Sequence, residues 1–373
     1  MVRGKPDFWL LLIVFILLGF GLIMVFSSSY YQGLTVYNDS YYFFKRQLVW
    51  ATIGIVLFFV AANLPYSFYR RHVGKFLVGT LLLLVLVLIP GIGVSVNGAQ
   101  RWIKLGFFSL QPSEIAKLVA LFYTASIMSK KQNYLHQFKR GLLPPLIVIS
   151  LLSGLIVIEP HYSTTILLIS SCFVVIYCAG TPLKHLIMVG MAAVPVLIGV
   201  LFMKAYRIPR ILTLLDPWKN PTSDGYQIIQ SLYAIGPGGL SGGGLGNSIQ
   251  KLAYLPEAHT DFIFSIIAEE LGFLGCLFLI LLFIAFILRG LRISLRAPDL
   301  FGNLLGMGIV SLLAIQTIFN IGVATALLPV TGVPLPFISY GGTSLISCMI
   351  SAGILLNLSR YSIQVEKKQP SSA

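Results

Sequence analysis

Three titratable residues lie close together in the segment YLPEAHTDFIF, residues 254–264: Glu257, His259 and Asp261. A carboxylate at the mouth of an apolar cavity is poorly hydrated when charged, which raises its pKa toward the range of a general base, whereas nearby cations lower it. Asp261 directly precedes a long apolar segment, so it is the candidate base. His259 and Glu257 are candidates to orient it, shuttle a proton or share a divalent metal. A solvated acidic loop is the alternative interpretation.

A second polar group lies in NGAQRWIKLGFFSLQPSEIAKL, residues 97–118. Glu114 and Lys117 are spaced i,i+3 on a helix that a proline begins, so they are expected to pair. One interpretation is that the ion pair only stabilises the start of the helix. Alternatively, basic residues here form a wall for an anionic ligand, because ionisable groups within a membrane usually face a cavity. The nearby candidates are Arg101, Trp102 and Lys104, of which Trp102 is either a membrane-interface anchor or a flat surface for a sugar or lipid.

Composition determines the class of protein. Of the 373 residues 57% are hydrophobic and 10% are charged, whereas soluble domains have about 25% charged residues. Ten apolar stretches are long enough to cross a bilayer. They are residues 8–28, 47–66, 76–95, 112–129, 142–158, 163–180, 185–203, 262–288, 304–328 and 339–359. The expected fold is an all-α polytopic membrane protein of ten helices, a single integral membrane domain over residues 1–373.

The basic residues predict the orientation. Lys and Arg accumulate in cytoplasmic loops, and most of the 26 fall on the side that holds both termini, including the tail of residues 362–373. The net charge of +14 is therefore a topology signal and not evidence for nucleic-acid binding. A long loop of residues 204–261, between the seventh and eighth spans, lies outside the cell. We expect the chemistry on this outer side of the membrane, because most acidic residues lie on it.

This long loop contains several distinct patterns. DPWKNP is typical of a turn, and GYQIIQSLYAI predicts a short amphipathic helix or a re-entrant piece. The glycines from Gly236 to Gly246 suit either a flexible hinge or a loop that presents N–H groups to a phosphate. Arg207 and Arg210 add positive charge at its beginning.

Several long motifs resemble the SEDS family of bacterial membrane proteins, which comprises FtsW, RodA and SpoVE. They are NGAQRWIKLG, QPSEIAKL, GYQIIQSLYAIGPGGL, GLGNSIQKLAYLPEAHTDFIFSIIAEELGFLG and PLPFISYGGTSLI. The resemblance covers nearly the whole chain, and NGAQRW and YLPEAHTDFIF look closer to FtsW and SpoVE than to RodA. It implies polymerisation of lipid II, the undecaprenyl-pyrophosphate-linked disaccharide pentapeptide, on the outer face of the cytoplasmic membrane. It also implies a class B penicillin-binding protein partner and a place in cell division or sporulation at the septum.

The resemblance assigns roles to residues of the motifs. It makes Asp261 of HTDF the essential acid, and it places Trp102, Glu114 and Lys117 at cavity positions. One departure stands out: where many members carry EPDFGT, this chain reads EPHYSTT, with His161 in place of the aspartate and Ser163 in place of the glycine. A neutral histidine accepts a hydrogen bond but carries no negative charge.

The implied reaction is an inverting glycosyl transfer with Asp261 as the base. The residues expected to stabilise the leaving pyrophosphate, with Mg²⁺ or Mn²⁺ as a candidate cofactor, are Arg101, Lys104, Lys117, Arg207 and Arg210. A lipid II flippase and a scaffold of the division machinery are the alternatives. A flippase needs a polar cavity but no positioned base, and a scaffold needs neither.

Overall fold

The structure is a computed structural model that describes residues 4–96, 99–106, 108–202, 213–214, 216–223 and 225–367. Eleven α-helices have bounds within this described part. They are α1 (Phe8–Tyr37), α2 (Tyr42–Asn63), α3 (Ser67–Leu88), α4 (Pro112–Lys130), α5 (Leu143–Ile158), α6 (Tyr162–Cys178), α7 (Leu183–Phe202), α8 (Tyr226–Ile235), α9 (Ile263–Leu295), α10 (Leu300–Ala324) and α11 (Gly342–Lys367).

Each of the ten predicted spans overlaps one of these helices, and the polytopic helical fold is confirmed. Seven helical segments in the described residues are long and apolar enough to cross a membrane. They belong to α1, α2, α3, α5, α9, α10 and α11. Helix α6 and the segment Leu183–Ala192 of α7 are shorter apolar helices, and α4 carries the charges of Glu114 and Lys117. The number of crossings and their orientation stay predictions.

Helices α10 and α11 form the centre of the bundle. Helix α11 packs along α2, while α10 packs against α4, α6 and α9. Small residues allow this proximity, as is common between membrane helices. At Gly353 of α11, a methyl group would lie 2.4 Å from the carbonyl oxygen of Phe58 on α2. The side chains that reach the centre are therefore surrounded by protein and not by lipid.

The two ends of the bundle are chemically different. At one end Asp7 pairs with Arg289 at 2.7 Å, and the amide of Gly4 donates to the carbonyl of Arg360 at 2.8 Å. The described beginning of the chain therefore lies beside the later parts of α9 and α11. Asp261 directly precedes α9, so it lies at the opposite end. This separation agrees with the predicted division between a basic cytoplasmic side and an outer side that holds the candidate base.

A small antiparallel sheet interrupts the all-α pattern. Its strands are β1 (Gly93–Val96), β2 (Ala99–Leu105) and β3 (Phe108–Leu110), in the order β1-β2-β3. The third predicted span extended to residue 95, whereas α3 ends at Leu88. Pro90 accounts for the difference, since a proline lacks the N–H that would continue a helix and disfavours helical backbone in the residue before it.

The glycine run of the long loop is docked on a kink in α9. Gly272 in this helix has φ 64° and ψ −161°, a conformation essentially reserved for glycine. A methyl group on Gly272 would lie 2.3 Å from the amide nitrogen of Gly242. The amides of Gly243 and Gly244 donate to the carbonyls of Glu269 and Glu270, both at 2.9 Å. These two N–H groups are thus used by the protein itself, so they do not form a cradle for phosphate.

Beside this kink lies a buried ion pair that the sequence analysis missed. The ammonium of Lys251 lies 2.6 Å from Oε1 of Glu270, and both side chains are fully buried. The hydroxyl of Ser27 on α1 donates to Oε2 of the same carboxylate, and Ser248 donates its hydroxyl to Glu269. The pair therefore joins the long loop, α1 and α9.

Candidate catalytic site

Asp261 lies on a short segment whose main chain is held at every residue. The carbonyl oxygens of residues 259–261 each accept a hydrogen bond from a different donor. These donors are the amide of Tyr340 at 2.9 Å, the hydroxyl of Ser339 at 2.5 Å and the side-chain amide of Asn320 at 2.8 Å, respectively. The half-buried Asp261 is consequently presented by a fixed backbone and not by a mobile loop.

Glu257 shapes the turn that precedes Asp261. It has φ 54°, and its carbonyl accepts hydrogen bonds from the amides of residues 260, 261 and 262 at 3.1–3.2 Å. Its exposed carboxylate accepts a hydrogen bond from the hydroxyl of Thr260 at 2.8 Å. The contacts of Glu257 are therefore local to the turn.

His259 is packed between aromatic rings. Its ring centroid lies 4.5 Å from that of Phe43 and 5.4 Å from that of Tyr340. Burial lowers the pKa of His259 to about 4, against the opposing charge of Glu257, so the ring is neutral near pH 7. Within the described residues, no three His, Cys, Asp or Glu side chains lie together as metal ligands. The environment of His259 is thus that of a packing residue.

The connection between α10 and α11 forms the wall opposite Asp261. Gly332 has φ +66°, and a methyl group there would lie 3.3 Å from Oδ2 of Asp261. The carbonyl of the next residue, Val333, accepts a hydrogen bond from Asn320 at 2.8 Å, and that of Pro334 accepts one from Gln316 at 2.9 Å. Two amides of α10 therefore fix the wall beside the carboxylate.

The predicted ion pair on α4 is present. The ammonium of Lys117 lies 2.8 Å from Oε1 of Glu114, with side chains only 2% and 4% exposed. Lys117 also donates to Oε1 of Gln316 at 3.4 Å. Because Gln316 holds Pro334, the pair is connected to the wall that faces Asp261. The structure thus links Glu114 and Lys117, through Gln316, to the segment that lies beside Asp261.

Arg101, Trp102 and Lys104 lie on β2, and Arg101 lies at a bulge of the sheet. Val94 of β1 pairs with Trp102 and the next residue, Ser95, pairs with Gln100, so Arg101 is left out of the pairing. Its guanidinium donates to the carbonyls of Glu159 and Pro160 between α5 and α6. Trp102 is half-buried and Lys104 is exposed. The contacts of Arg101 therefore connect β2 to the segment between α5 and α6. Arg207 and Arg210 lie outside the described residues.

The EPHYSTT segment places two buried titratable groups near Arg101. The ring of His161 contacts Gln111 and Ser113 at 3.2 Å through Nδ1. Burial, with the charges of Arg101 and Lys117, lowers the pKa of His161 well below its ordinary value, so the ring is neutral. Glu159 is fully buried, and among the described residues its carboxylate oxygens have no hydrogen-bond partner. Burial raises the pKa of Glu159 to about 8, which the charge of Arg101 partly offsets.

A polar cavity of about 310 Å³ lies beside the segment that leads to Asp261. Pro256 and Val330 line it on the side of the candidate site. The other lining residues lie in the long loop and its helix α8. They are Thr222, Ser223, Tyr226, Gln227 and Ile228, of which all but Ile228 carry a hydroxyl or amide group. Such groups suit hydrogen bonding to a polar ligand.

Comparison with known proteins identifies the family of the chain. The family of cell cycle proteins named after FtsW, RodA and SpoVE matches residues 8–364. The chain belongs to this family. Stage V sporulation protein E of Bacillus subtilis is 46% identical over 360 residues, covering 96% of this chain and 98% of that protein. The probable peptidoglycan glycosyltransferase FtsW of Trichlorobacter lovleyi is 44% identical, covering 95% and 93%.

A solved structure agrees with this assignment. A chain from a study of how a peptidoglycan synthase complex coordinates polymerization and crosslinking aligns with a TM-score of 0.77 and 30% identity, over 98% of this chain and 99% of that one. The resemblance to the FtsW/RodA/SpoVE family is therefore confirmed, and the fold is shared along the chain.

Sequence reasoning missed two polar residues of the site in this FtsW/RodA/SpoVE family member. Gln316 and Asn320 lie four residues apart in an apolar span, and this spacing places them on one face of α10. Both are 1% exposed. Polar side chains at this spacing in a membrane helix are a recognisable signal, because each must find a partner inside the protein.

Proposed function

We propose that the chain is an inverting glycosyltransferase that polymerises lipid II into β-1,4 glycan strands on the outer face of the cytoplasmic membrane. Relatives that carry the name peptidoglycan glycosyltransferase FtsW support the reaction class. The location of Asp261, at the end of the bundle away from Arg289 and Arg360, supports chemistry on the outer side.

In the proposed reaction the 4-hydroxyl of the acceptor N-acetylglucosamine attacks the anomeric carbon of the donor. The new bond joins that oxygen to carbon 1, and the bond from carbon 1 to the axial pyrophosphate breaks. Undecaprenyl pyrophosphate leaves with the bonding electrons. Asp261 accepts the hydroxyl proton during attack. Attack from the face opposite the leaving group inverts the configuration and gives the β-linkage.

The observation that carries this proposal is the support around Asp261. Three hydrogen bonds hold the backbone of residues 259–261, and Gly332 leaves space beside Oδ2. A general base must lie within hydrogen-bond reach of the proton that it removes, and a fixed backbone preserves that geometry. The buried contacts of His259 support a packing role and the local contacts of Glu257 support a turn role, so neither is assigned the proton.

The negative charge that develops on pyrophosphate requires cations. Lys117 is the candidate in the described residues whose charge is connected to the wall of the site, through Gln316. Arg207 and Arg210 remain candidates from the sequence. A divalent cation, Mg²⁺ or Mn²⁺, would neutralise the phosphates when bound. Such an ion usually binds through one or two carboxylates together with substrate phosphates; since no three metal-ligating side chains lie together in the described residues, the phosphates would supply most of its ligands.

We also propose that the chain acts with a class B penicillin-binding protein and other division or sporulation membrane proteins at the septum. The structural relative from a peptidoglycan synthase complex supports a partner that crosslinks the new strands. The partner's transpeptidase activity would use the polymer as it leaves the outer face.

Gel analysis of glycan strands made from purified lipid II tests this function. The purified protein is assayed with its penicillin-binding partner, and Asp261→Asn is compared with Glu257→Gln in the exposed turn. Loss of the base should lower polymerisation by about 10²–10⁴-fold, and the loss for Glu257→Gln should be far smaller. Near-normal polymer from Asp261→Asn would contradict the assignment. Lipid II transport without polymerisation by the wild type would favour the flippase, and neither activity would favour the scaffold.

A further inference from the structure

Asn320 is a buried amide that joins two segments of the candidate site. It lies on α10 and is 1% exposed. Its Nδ2 donates to the carbonyl of Asp261 at 2.8 Å and to the carbonyl of Val333, also at 2.8 Å. These acceptors belong to separate parts of the chain, so one side chain fixes the distance between them.

The chemistry of this contact is specific to asparagine. A primary amide has two N–H donors on one nitrogen, and here both are used. Turning the amide over would set its oxygen against two carbonyl oxygens, so the hydrogen bonds determine its orientation. An aspartate of the same shape would place carboxylate oxygens against the two carbonyl oxygens. An alanine would leave both buried carbonyls without a donor from this position.

The two acceptors flank the reactive carboxylate. One belongs to Asp261 itself. The other follows Gly332, the residue at which a methyl group would lie 3.3 Å from Oδ2 of Asp261. Displacing either segment would therefore change the space between the carboxylate and the wall. Ser339 and Tyr340 hold residues 260 and 259, whereas Asn320 acts at residue 261.

We infer that Asn320 is a positioning residue that sets Asp261 against the Gly332 wall and does not itself contact substrate. This inference rests on the proposed function of Asp261 as the base. A displacement of about 1 Å can lower a rate by about 10²-fold, so loss of Asn320 should lower kcat by roughly that factor. The KM for lipid II should stay within about threefold, because the substrate-binding groups are unchanged.

The test compares Asn320→Ala with Asn357→Ala. Asn357 is an equally buried asparagine that joins α2 to the start of α3, donating to the carbonyl of Ala62 at 2.8 Å and accepting the amide of Tyr66 at 3.1 Å. It lies at the end of the bundle away from Asp261. Both variants should lose stability, but Asn357→Ala should keep kcat in its folded fraction whereas Asn320→Ala should not. Equal kcat in the two folded fractions would overturn the inference.

A second variant tests the same geometry without removing the amide. Gly332→Ala adds the methyl group beside Oδ2 and should also lower kcat with little change in KM. If Asn320→Ala does not fold, normal kcat in Gly332→Ala overturns the inference by itself. Asp261→Asn is assayed alongside. Full activity of Asp261→Asn would mean that the proposed function fails. An inactive Asp261→Asn would mean that only the positioning role fails if it is accompanied by normal kcat in Asn320→Ala, or in Gly332→Ala where Asn320→Ala does not fold.

Discussion

Replacing Lys117 with methionine removes the cation of a buried ion pair and leaves the anion in place. The ammonium lies 2.8 Å from the Glu114 carboxylate, and both side chains are at least 96% buried. Breaking such a pair by removing one partner costs about 3–5 kcal/mol, because the remaining charge is left uncompensated. Lys117→Met should lower the free energy of unfolding by that amount.

Removing both charges should have a different effect. Replacing a buried pair by uncharged groups is often neutral or stabilising by about 1–4 kcal/mol, so the double variant Glu114→Gln, Lys117→Met should recover most of the lost stability. If Lys117 also stabilises the leaving pyrophosphate, the double variant will fold but will make little polymer. Stability and activity are thereby separated.

An exposed pair supplies the matched control. Lys45 lies 2.8 Å from Asp39, the same distance, but its side chain is 66% exposed. Lys45→Met should therefore cost far less stability than Lys117→Met, because solvent screens an exposed pair. Denaturant unfolding in detergent micelles and the glycan gel are run on all variants. If Lys117→Met and the double variant differ by less than about 1 kcal/mol, the reasoning from burial is refuted.

Three further predictions concern stability and pH. Since burial holds His259 neutral with a pKa of about 4, His259→Phe should keep polymerisation within about threefold from pH 6 to 8, whereas His259→Ala should lower stability by about 2–5 kcal/mol; a pH-dependent change in His259→Phe would contradict the packing role. Burial raises the pKa of Glu159 from 4.5 to about 8, so the folded state keeps a proton that the unfolded chain releases, and stability should fall as pH rises through this interval, by up to about 1.4 kcal/mol per unit. Glu159→Gln should therefore stabilise more at pH 8 than at pH 5 in thermal unfolding, and an equal effect at both would argue against the buried carboxyl. Gly272→Ala should release the glycine run, because a methyl group cannot fit 2.3 Å from the amide of Gly242; limited proteolysis at residues 236–254 should then be faster than in wild type, and unchanged cleavage would count against the docking.

Hydropathy was sufficient to predict the helices, because each span must satisfy its own backbone in lipid. The i,i+3 spacing of Glu114 and Lys117 likewise predicted a pair that is present. Local patterns were insufficient where distant segments meet. The sequence contains no signal that Lys251 neutralises Glu270, and hydropathy alone does not show that α3 ends at Leu88, before Pro90. The carbonyl contacts of Asn320 depend on the path of the chain between α10 and α11, which hydropathy does not specify.

The Lys251–Glu270 pair has a consequence for how the protein is made. Lys251 is synthesised 19 residues before Glu270, and Ser27 on α1 precedes both. A carboxylate inserted without its cation would carry the full penalty of a charge in hydrocarbon. Because the cation comes first in synthesis, it is available to pair with Glu270 when the start of α9 inserts. The order of these segments along the chain therefore suits insertion from the N-terminus, and a circular permutant that synthesises α9 before the glycine run would have to insert Glu270 unpaired.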